Sequence, residues 1–364
     1  MVYSGPHFYV ANPLYKTPKA VCTLNSDYEI IDLSIEKDDS SILTNYTPNL
    51  PLPQYRSIIQ GFPTGHDALG NVLYDCWMDY YKVAIRRMTG GGSGERTLTG
   101  AILPKYTSVI DSITTFVFKD AHLLTEMAAL TASLPLDYYI KVIGISNIHA
   151  STAIKFPLGI AEIYKSSLFA RTLRLNCVTN RYEELWSEVW EESFKSEQWS
   201  IEDSRLTPWN NLTPKWSHGT PLRNYFERRQ ALVEIDVIAA MALGLTLNEL
   251  VMMYEIQFPV LQQNEDDTWY DQKGNIVFTC SKGLTGVGLD RKAWESMRGS
   301  LSEDGMTYTG TSETYEHTID PAKSELYGGQ KVTYYAPYNR CDRIEDYRRA
   351  WAHFEKVFKE ENKD

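Results

Sequence analysis

The chain has 364 residues, 43% of them hydrophobic and 23% charged, and a formal net charge of −11. That length allows a sizeable core and more than one domain, and the composition is ordinary for a soluble globular protein. The charge excludes a stand-alone nucleic-acid binder that works through overall positive charge.

The charge is uneven. Residues 1–170 hold 13 Lys+Arg against 15 Asp+Glu, and residues 171–364 hold 23 against 32. Any DNA contact is therefore expected in the first half, through local basic clusters. Five cysteines stand far apart with no C-x-x-C, so neither a disulfide framework nor a zinc site is expected, and a reducing cytoplasmic setting fits. The start "MVYSGPHFYV" shows no basic-then-apolar signal pattern. The longest apolar helical stretch, "VIAAMALGL", falls short of the ~20 residues of a membrane span. The 24 Tyr and 9 Trp are spread along the chain, which points to core and interface packing.

Residues 1–60 read as an extended lead-in. Pro6, Pro13, Pro18, Pro48, Pro51 and Pro53 interrupt it, each removing a backbone donor, so such a segment is expected to wrap against another body. Within it, Asn12-Pro13-Leu14-Tyr15 misses by one residue the [Asn/Asp/Ser]-Pro-Pro-[Tyr/Phe/Trp] loop of amino-group methyltransferases. In such a loop the polar side chain and a proline carbonyl hold the target amine while the aromatic ring stacks on the flipped base. That loop should end a buried strand of a doubly wound sheet, and only "HFYVA" precedes it as a possible strand. No convincing glycine turn for a cofactor accompanies it, since neither "TGGGSGE" nor "GLTGVGLD" (283–290) sits in a strand–turn–helix setting.

Residues 61–170 read as an α+β unit. In "GNVLYDCWMDYYKVAIRRM", Val72, Cys76, Tyr80, Val83 and Met88 fall near helical spacing, which predicts a helix with Asp75 and Asp79 on one face and Arg86 and Arg87 in its last turn. "TGGGSG" (89–94) is a loop, and "RTLTGAILPKYTSVIDSITTFVF" alternates as two strands. "DAHLLTEMAALTASL" is a helix capped by Asp120. The most basic local cluster comprises Arg86, Arg87, Arg96 and Lys105 around the glycine loop. Arginine forks read guanine edges or clamp phosphates, and Tyr106 beside Lys105 offers a ring to stack or wedge at a base. The structural alternative is a cationic helix end, a mobile loop and a surface tyrosine.

Residues 171–364 read as mostly helical. "RYEELWSEVWEESFKSEQW" is an acidic amphipathic helix presenting Trp186 and Trp190. "FERRQALVEIDVIAAMALGL" is a helix buried on one broad face, ended by Gly244, and "TLNE" restarts a helix with a Thr246–Glu249 capping box. "TWYDQKGNIVFT" (268–279) is a β-hairpin turning at Asp271 to Gly274. In "DRIEDYRRAWAHFEKVFKEENKD", Ile344, Tyr347, Trp351 and Phe354 mark a packed helix face. G-x-S-x-G, H-E-x-x-H, P-loop and PD-(D/E)xK patterns are missing, and His122 and His149 read as structural. The residues alone assign no catalytic, cofactor-binding or metal-binding side chain.

Several stretches together carry a resemblance. "GERTLTGAILPKYTSVIDSI", "LTEMAALTASLPLDYYIKVIG" and "STAIKFPLGI" resemble the target-recognition region of type IIG-like restriction–modification methyltransferases, and "VEIDVIAAMALGLTLNEL" resembles their C-terminal segment. "SGPHFYVANPLYKTP", "TWYDQKGNIVFT" with the following "SKGL" and "GVGL", and "DRIEDYRRAW" look like the C-terminal portion of the large adenine-specific DNA methyltransferases of DISARM-like phage-defence systems. The resemblance implies a target-recognition half that holds double-stranded DNA. An N-terminal methyltransferase domain or subunit would supply S-adenosylmethionine and the catalytic Asn-Pro-Pro-Tyr loop, leaving "NPLY" as a lead-in. Two other expectations stand beside it: an acidic protein-interaction subunit, and a self-sufficient methyltransferase using Asn12 to Tyr15.

Overall fold

The computed structural model describes residues 1–90 and 94–361. At its centre, Val83, Ala84 and Ile85 are wholly buried on the strand Lys82–Arg86, so the alternation that marks a half-buried strand is lost. This strand lies between Gly100–Leu103 and Ile113–Phe116 in an antiparallel sheet, with Lys82 opposite Leu103 and Ile85 opposite Gly100. The helix Ala121–Ala132 packs closely on the sheet. A Cβ at Gly100 would stand 3.2 Å from both the Thr131 hydroxyl and the Ala84 carbonyl, so a larger residue there would force helix and sheet apart.

Asp120 caps that helix by accepting from the His122 amide at 2.7 Å. The helix breaks at Ser133, where Pro135 favours a fresh start, and Leu134–Ile143 runs on to a left-handed Gly144. Beyond it, Glu162–Asn176, Tyr225–Ala242 and Arg343–Glu361 pack together. One contiguous apolar core runs from Tyr3 to Phe358 and includes Phe8, Val10, Leu14, Ile31 and Ile42 of the first stretch. The lead-in therefore lies against the helical body, as its prolines predict.

A second, aromatic core sits under the 268–339 region. There Ile276–Thr279, Thr268–Tyr270, Tyr338–Asn339 and Thr307–Tyr308 form an antiparallel sheet, and Phe278 stacks on Trp294 at 5.7 Å. The predicted hairpin is present. Asp271 builds its turn by accepting from the Lys273 and Asn275 amides at 2.8 and 2.9 Å, and Gly274 takes a φ of 82°. Gly244 and the Thr246–Glu249 capping box also stand where the sequence places them.

The fold is α+β. Among the described residues the parallel pairing is confined to Val2–Tyr3 with Ser108–Val109, and no doubly wound sheet is formed. No helix among them is long and apolar enough to cross a membrane, and no group of His, Cys, Asp or Glu is arranged to hold a metal ion.

Three expectations are corrected. Residues 72–86 form the strands Val72–Cys76 and Lys82–Arg86 around a short 3-10 turn, not a helix. The β-branched and aromatic residues there pair with neighbouring strands, and this tertiary pairing overrides apparent helical spacing. Asp75 and Asp79 consequently share no helix face: Asp75 accepts from the Tyr80 hydroxyl, and Asp79 takes the Arg56 guanidinium at 2.6 Å. The acidic helix is short, Glu183–Val189, with Trp186 fully buried and donating to the Thr213 carbonyl rather than displayed. The helix Tyr225–Ala242 is buried nearly all round, not on one face, because buried ion pairs satisfy its charged side.

Candidate functional site

The structure separates the basic cluster. Arg86, at the end of its strand, turns inward: its Nε donates to the Gly5 carbonyl at 2.8 Å, Nη2 donates to the Phe8 carbonyl, and its plane lies 5.4 Å from the Tyr9 ring centre. Burial pulls its pKa below the ordinary arginine value. Arg96 is only 5% exposed, donating to Asp137 at 2.6 Å and to the Ala132 carbonyl. The same carboxylate accepts from the Thr97 and Leu98 amides at 3.0 and 2.8 Å, which ties the glycine loop's exit to the helix Leu134–Ile143. Both guanidinium forks are thus spent on the interior, and neither is presented to a duplex. These two placements correct the expectation of one exposed basic cluster.

Arg87 faces outward in a two-bond pair with the exposed Asp111, at 2.9 and 2.8 Å, and each raises or lowers the other toward its charged form. Lys105 reaches Glu184 at 2.5 Å and lies over the Tyr81 ring. Register places Lys105 beyond the opposite end of the central strand from Arg87, about 20 Å away at ~3.3 Å per residue. Tyr106 is 64% exposed with a φ of 63°, and its backbone N–H donates to the Met78 carbonyl. For a bulky side chain that backbone region is strained. Residues 91–93 of the glycine loop lie outside the described residues.

A second set of residues meets where sequence spacing gave no hint. Asn12, Tyr15, Glu95, Gly283 and Leu284, from three distant stretches, line one pocket of about 180 Å³ between the lead-in, the helix Tyr225–Ala242 and the hairpin. Tyr15 donates its hydroxyl to the Gly283 carbonyl, and its ring stacks on Tyr9 at 5.1 Å. Asn12 does not present its carbonyl oxygen, because Oδ1 accepts from the Leu14 amide at 3.1 Å. Glu95 Oε2 accepts from Asn264 Nδ2 at 3.1 Å and from Ser281 Oγ at 3.2 Å, and burial raises its carboxyl above the usual range.

Most of the charged rim of this pocket is paired internally, but Arg223 Nη2 and Arg229 Nη2 are buried with no hydrogen-bond partner among the described residues. Glu265 is gripped by Arg229 and Arg343, which after its burial is overcome hold its pKa down at about 2, and Arg343 also reaches Asp236 at 2.9 Å. Arg228 forms no ion pair among the described residues; it donates to the Ala11, Leu175 and Leu222 carbonyls, and burial lowers its pKa to about 10. Sequence reasoning assigned Asn12 and Tyr15 to a lead-in and missed Glu95 entirely, since a lone Glu after a glycine loop carries no local signal. His122 sits beside Asp120 at its helix start, and His149 precedes a short helix. Comparison with protein-family models, with curated proteins and with solved structures gave no match for this chain.

Proposed function

We propose that this chain is the DNA-recognition portion of an adenine-specific DNA methyltransferase of a restriction–modification or phage-defence system. A separate catalytic domain or subunit would bind S-adenosylmethionine and transfer the methyl group to a flipped adenine. The resemblance of the quoted stretches raises the reading, and the observation that carries it is Tyr106. An exposed aromatic ring on strained backbone, next to Lys105, is the arrangement of a residue held out to meet a partner. Stacking on or wedging at a base is one use of such a ring, and Lys105 and Arg87 would contribute phosphate contacts once freed from Glu184 and Asp111.

The test is fluorescence anisotropy of labelled duplex DNA with the purified chain, at low and at physiological salt. Weak binding that falls with salt is expected, unchanged by S-adenosylmethionine. Tyr106→Ala should weaken it about tenfold, the worth of one stacked base, with the melting temperature little changed, since alanine keeps the Cβ that the positive φ strains. No binding at low salt, or Tyr106→Ala binding like wild type, would refute the reading.

A second reading, docking of a partner protein, is favoured by an apolar groove of about 710 Å³ beside Tyr106. Tyr55, Trp77, Phe116, Ile154 and Leu158 line it, and Ile154 is 82% exposed. On this reading the catalytic half covers the groove, and adding a purified methyltransferase domain would slow amide exchange across residues 150–158.

A further inference from the structure

The apolar groove beside Tyr106 holds one charge that neither reading of function uses. Lys82 opens the central strand and is 3% exposed, and among the residues that line the groove it is the one charged side chain. Its ammonium donates to the Thr107 carbonyl at 2.9 Å and to the Thr107 hydroxyl at 3.4 Å, so neutral acceptors engage two of its three N–H groups. It forms no ion pair among the described residues, and Asp79, a carboxylate whose field reaches it, is held by Arg56 at 2.6 Å. Burial lowers the Lys82 pKa to about 8. A cation taken out of water costs free energy until an anion or further dipoles replace the lost hydration.

The surroundings select what would replace it. Trp77, Met78, Phe116, Met127 and Phe156 supply aromatic and aliphatic walls, and the volume, about 710 Å³, falls within the ~300–1,000 Å³ of small-molecule sites. Met78, Met127 and Phe156 are buried while Ile154 is 82% exposed, so the groove runs from solvent into the interior. One ammonium matches one negative charge. A phosphate dianion would bring a second charge among apolar walls without a partner, and a plain hydrocarbon would leave Lys82 as it stands. We propose that the groove binds an amphiphilic monocarboxylate of the fatty-acid kind, its carboxylate accepting from the Lys82 ammonium and its hydrocarbon body lying against Trp77, Met127 and Phe156. Such a bond is charge-assisted and shielded from water, where hydrogen bonds are strongest. The site goes beyond both readings of function, since DNA contact through Tyr106 and Lys105 does not need Lys82.

The experiment is calorimetric titration of the full chain with octanoate, 1-octanol and octyltrimethylammonium, which share one hydrocarbon chain and differ in the charge of the head. Octanoate is expected to bind at a single site, with the alcohol and the cation at least about tenfold weaker, the worth of a hydrogen bond between charged groups. Lys82→Met keeps the length of the side chain and removes its charge, so it should weaken octanoate by a similar factor and leave octanol as tight or tighter. Because that variant also breaks the Thr107 bonds, a second readout uses the wild-type chain: nuclear Overhauser contacts from octanoate methylenes to the Met127 methyl group, which is buried in the groove wall. Failure of octanoate to bind at roughly millimolar concentration would overturn the proposal. Equal binding by the alcohol or the cation would do the same, as would binding without the Met127 contacts. If octanoate fails while a purified methyltransferase domain slows exchange across residues 150–158, the groove belongs to a protein partner and the carboxylate site falls. DNA affinity is measured separately, so loss of either result leaves the other standing.

Discussion

His7 is fully buried, accepting from the Ser4 amide through Nδ1 at 2.9 Å, while Nε2 finds no partner. Burial lowers its pKa from 6.5 to about 4. An unfolded chain takes up a proton on this ring near pH 6.5 and the folded chain does not, so its share of stability is present above that pH and is lost as pH falls toward 4. The loss should approach about 3 kcal/mol, and His7→Gln, whose carbonyl can accept from Ser4, should remove that part of the slope. Chemical denaturation from pH 7 to pH 4 checks it, the difference between the two profiles isolating His7 from the carboxylates. Arg96 and Arg87 make a matched pair at the same scale. Arg96→Met strips the cation from the buried Asp137 and should cost about 3 kcal/mol, whereas Arg87→Met breaks an exposed pair and should cost under about 1. If Arg96→Met left the melting temperature alone while abolishing DNA binding, the inward placement would be wrong. For one candidate residue, Tyr106, the exposure was legible from sequence, because a tyrosine in a turn after Pro104 and Lys105 tends to face solvent. Arg86 and Arg96 were not, because their partners, the Gly5 and Phe8 carbonyls and Asp137, lie 78 and 41 residues or more away in the chain.

Among the elements, the helix Tyr225–Ala242 organises the molecule. Asn224 and Glu227 cap its start reciprocally, and Glu234 accepts from Arg171 at 2.6 Å and from the Ser200 amide at 2.8 Å. Glu234→Ala would leave the Arg171 charge partly unpaired in the core and should cost about 3 kcal/mol or more. Arg171→Met added to it should restore part of that loss, and a double-mutant cycle by urea melts measures the coupling. Additive losses would mean that Glu197, the other partner of Arg171, carries the charge alone. Caps and turns were readable: Asp120, Thr246, Gly244 and the Asp271 turn depend on local backbone bonding, which a short stretch encodes. The strand Lys82–Arg86 was not, since a fully buried strand shows no alternation and its apolar positions imitate a helix, and Val72–Cys76 was not, since it is largely exposed and carries no apolar face of its own.

At the scale of the whole molecule, the α+β class was visible because helical and alternating stretches are both long, whereas the pocket was not. Its walls come from the lead-in, the glycine loop's exit and the 264–284 stretch, and only the folded chain brings them together. The same closure predicts how the molecule tolerates truncation. Removing residues 1–15 would take Phe8, Val10 and Leu14 from the core and the Ala11 carbonyl from Arg228, leaving a buried guanidinium short of a partner. Such a chain should lose its cooperative thermal transition by circular dichroism; one that melts as sharply as the full chain would show the lead-in to be peripheral. The bond from Tyr15 to the Gly283 carbonyl spans 268 residues. On a ribosome adding ~5–20 residues each second, the first segment emerges some 15 to 50 seconds before its wall partner exists. Phe8 and Ala11 meet Arg86 and Gly100 of the central sheet well before that, so it is the Tyr15 wall of the pocket alone that closes only with the arrival of the last quarter.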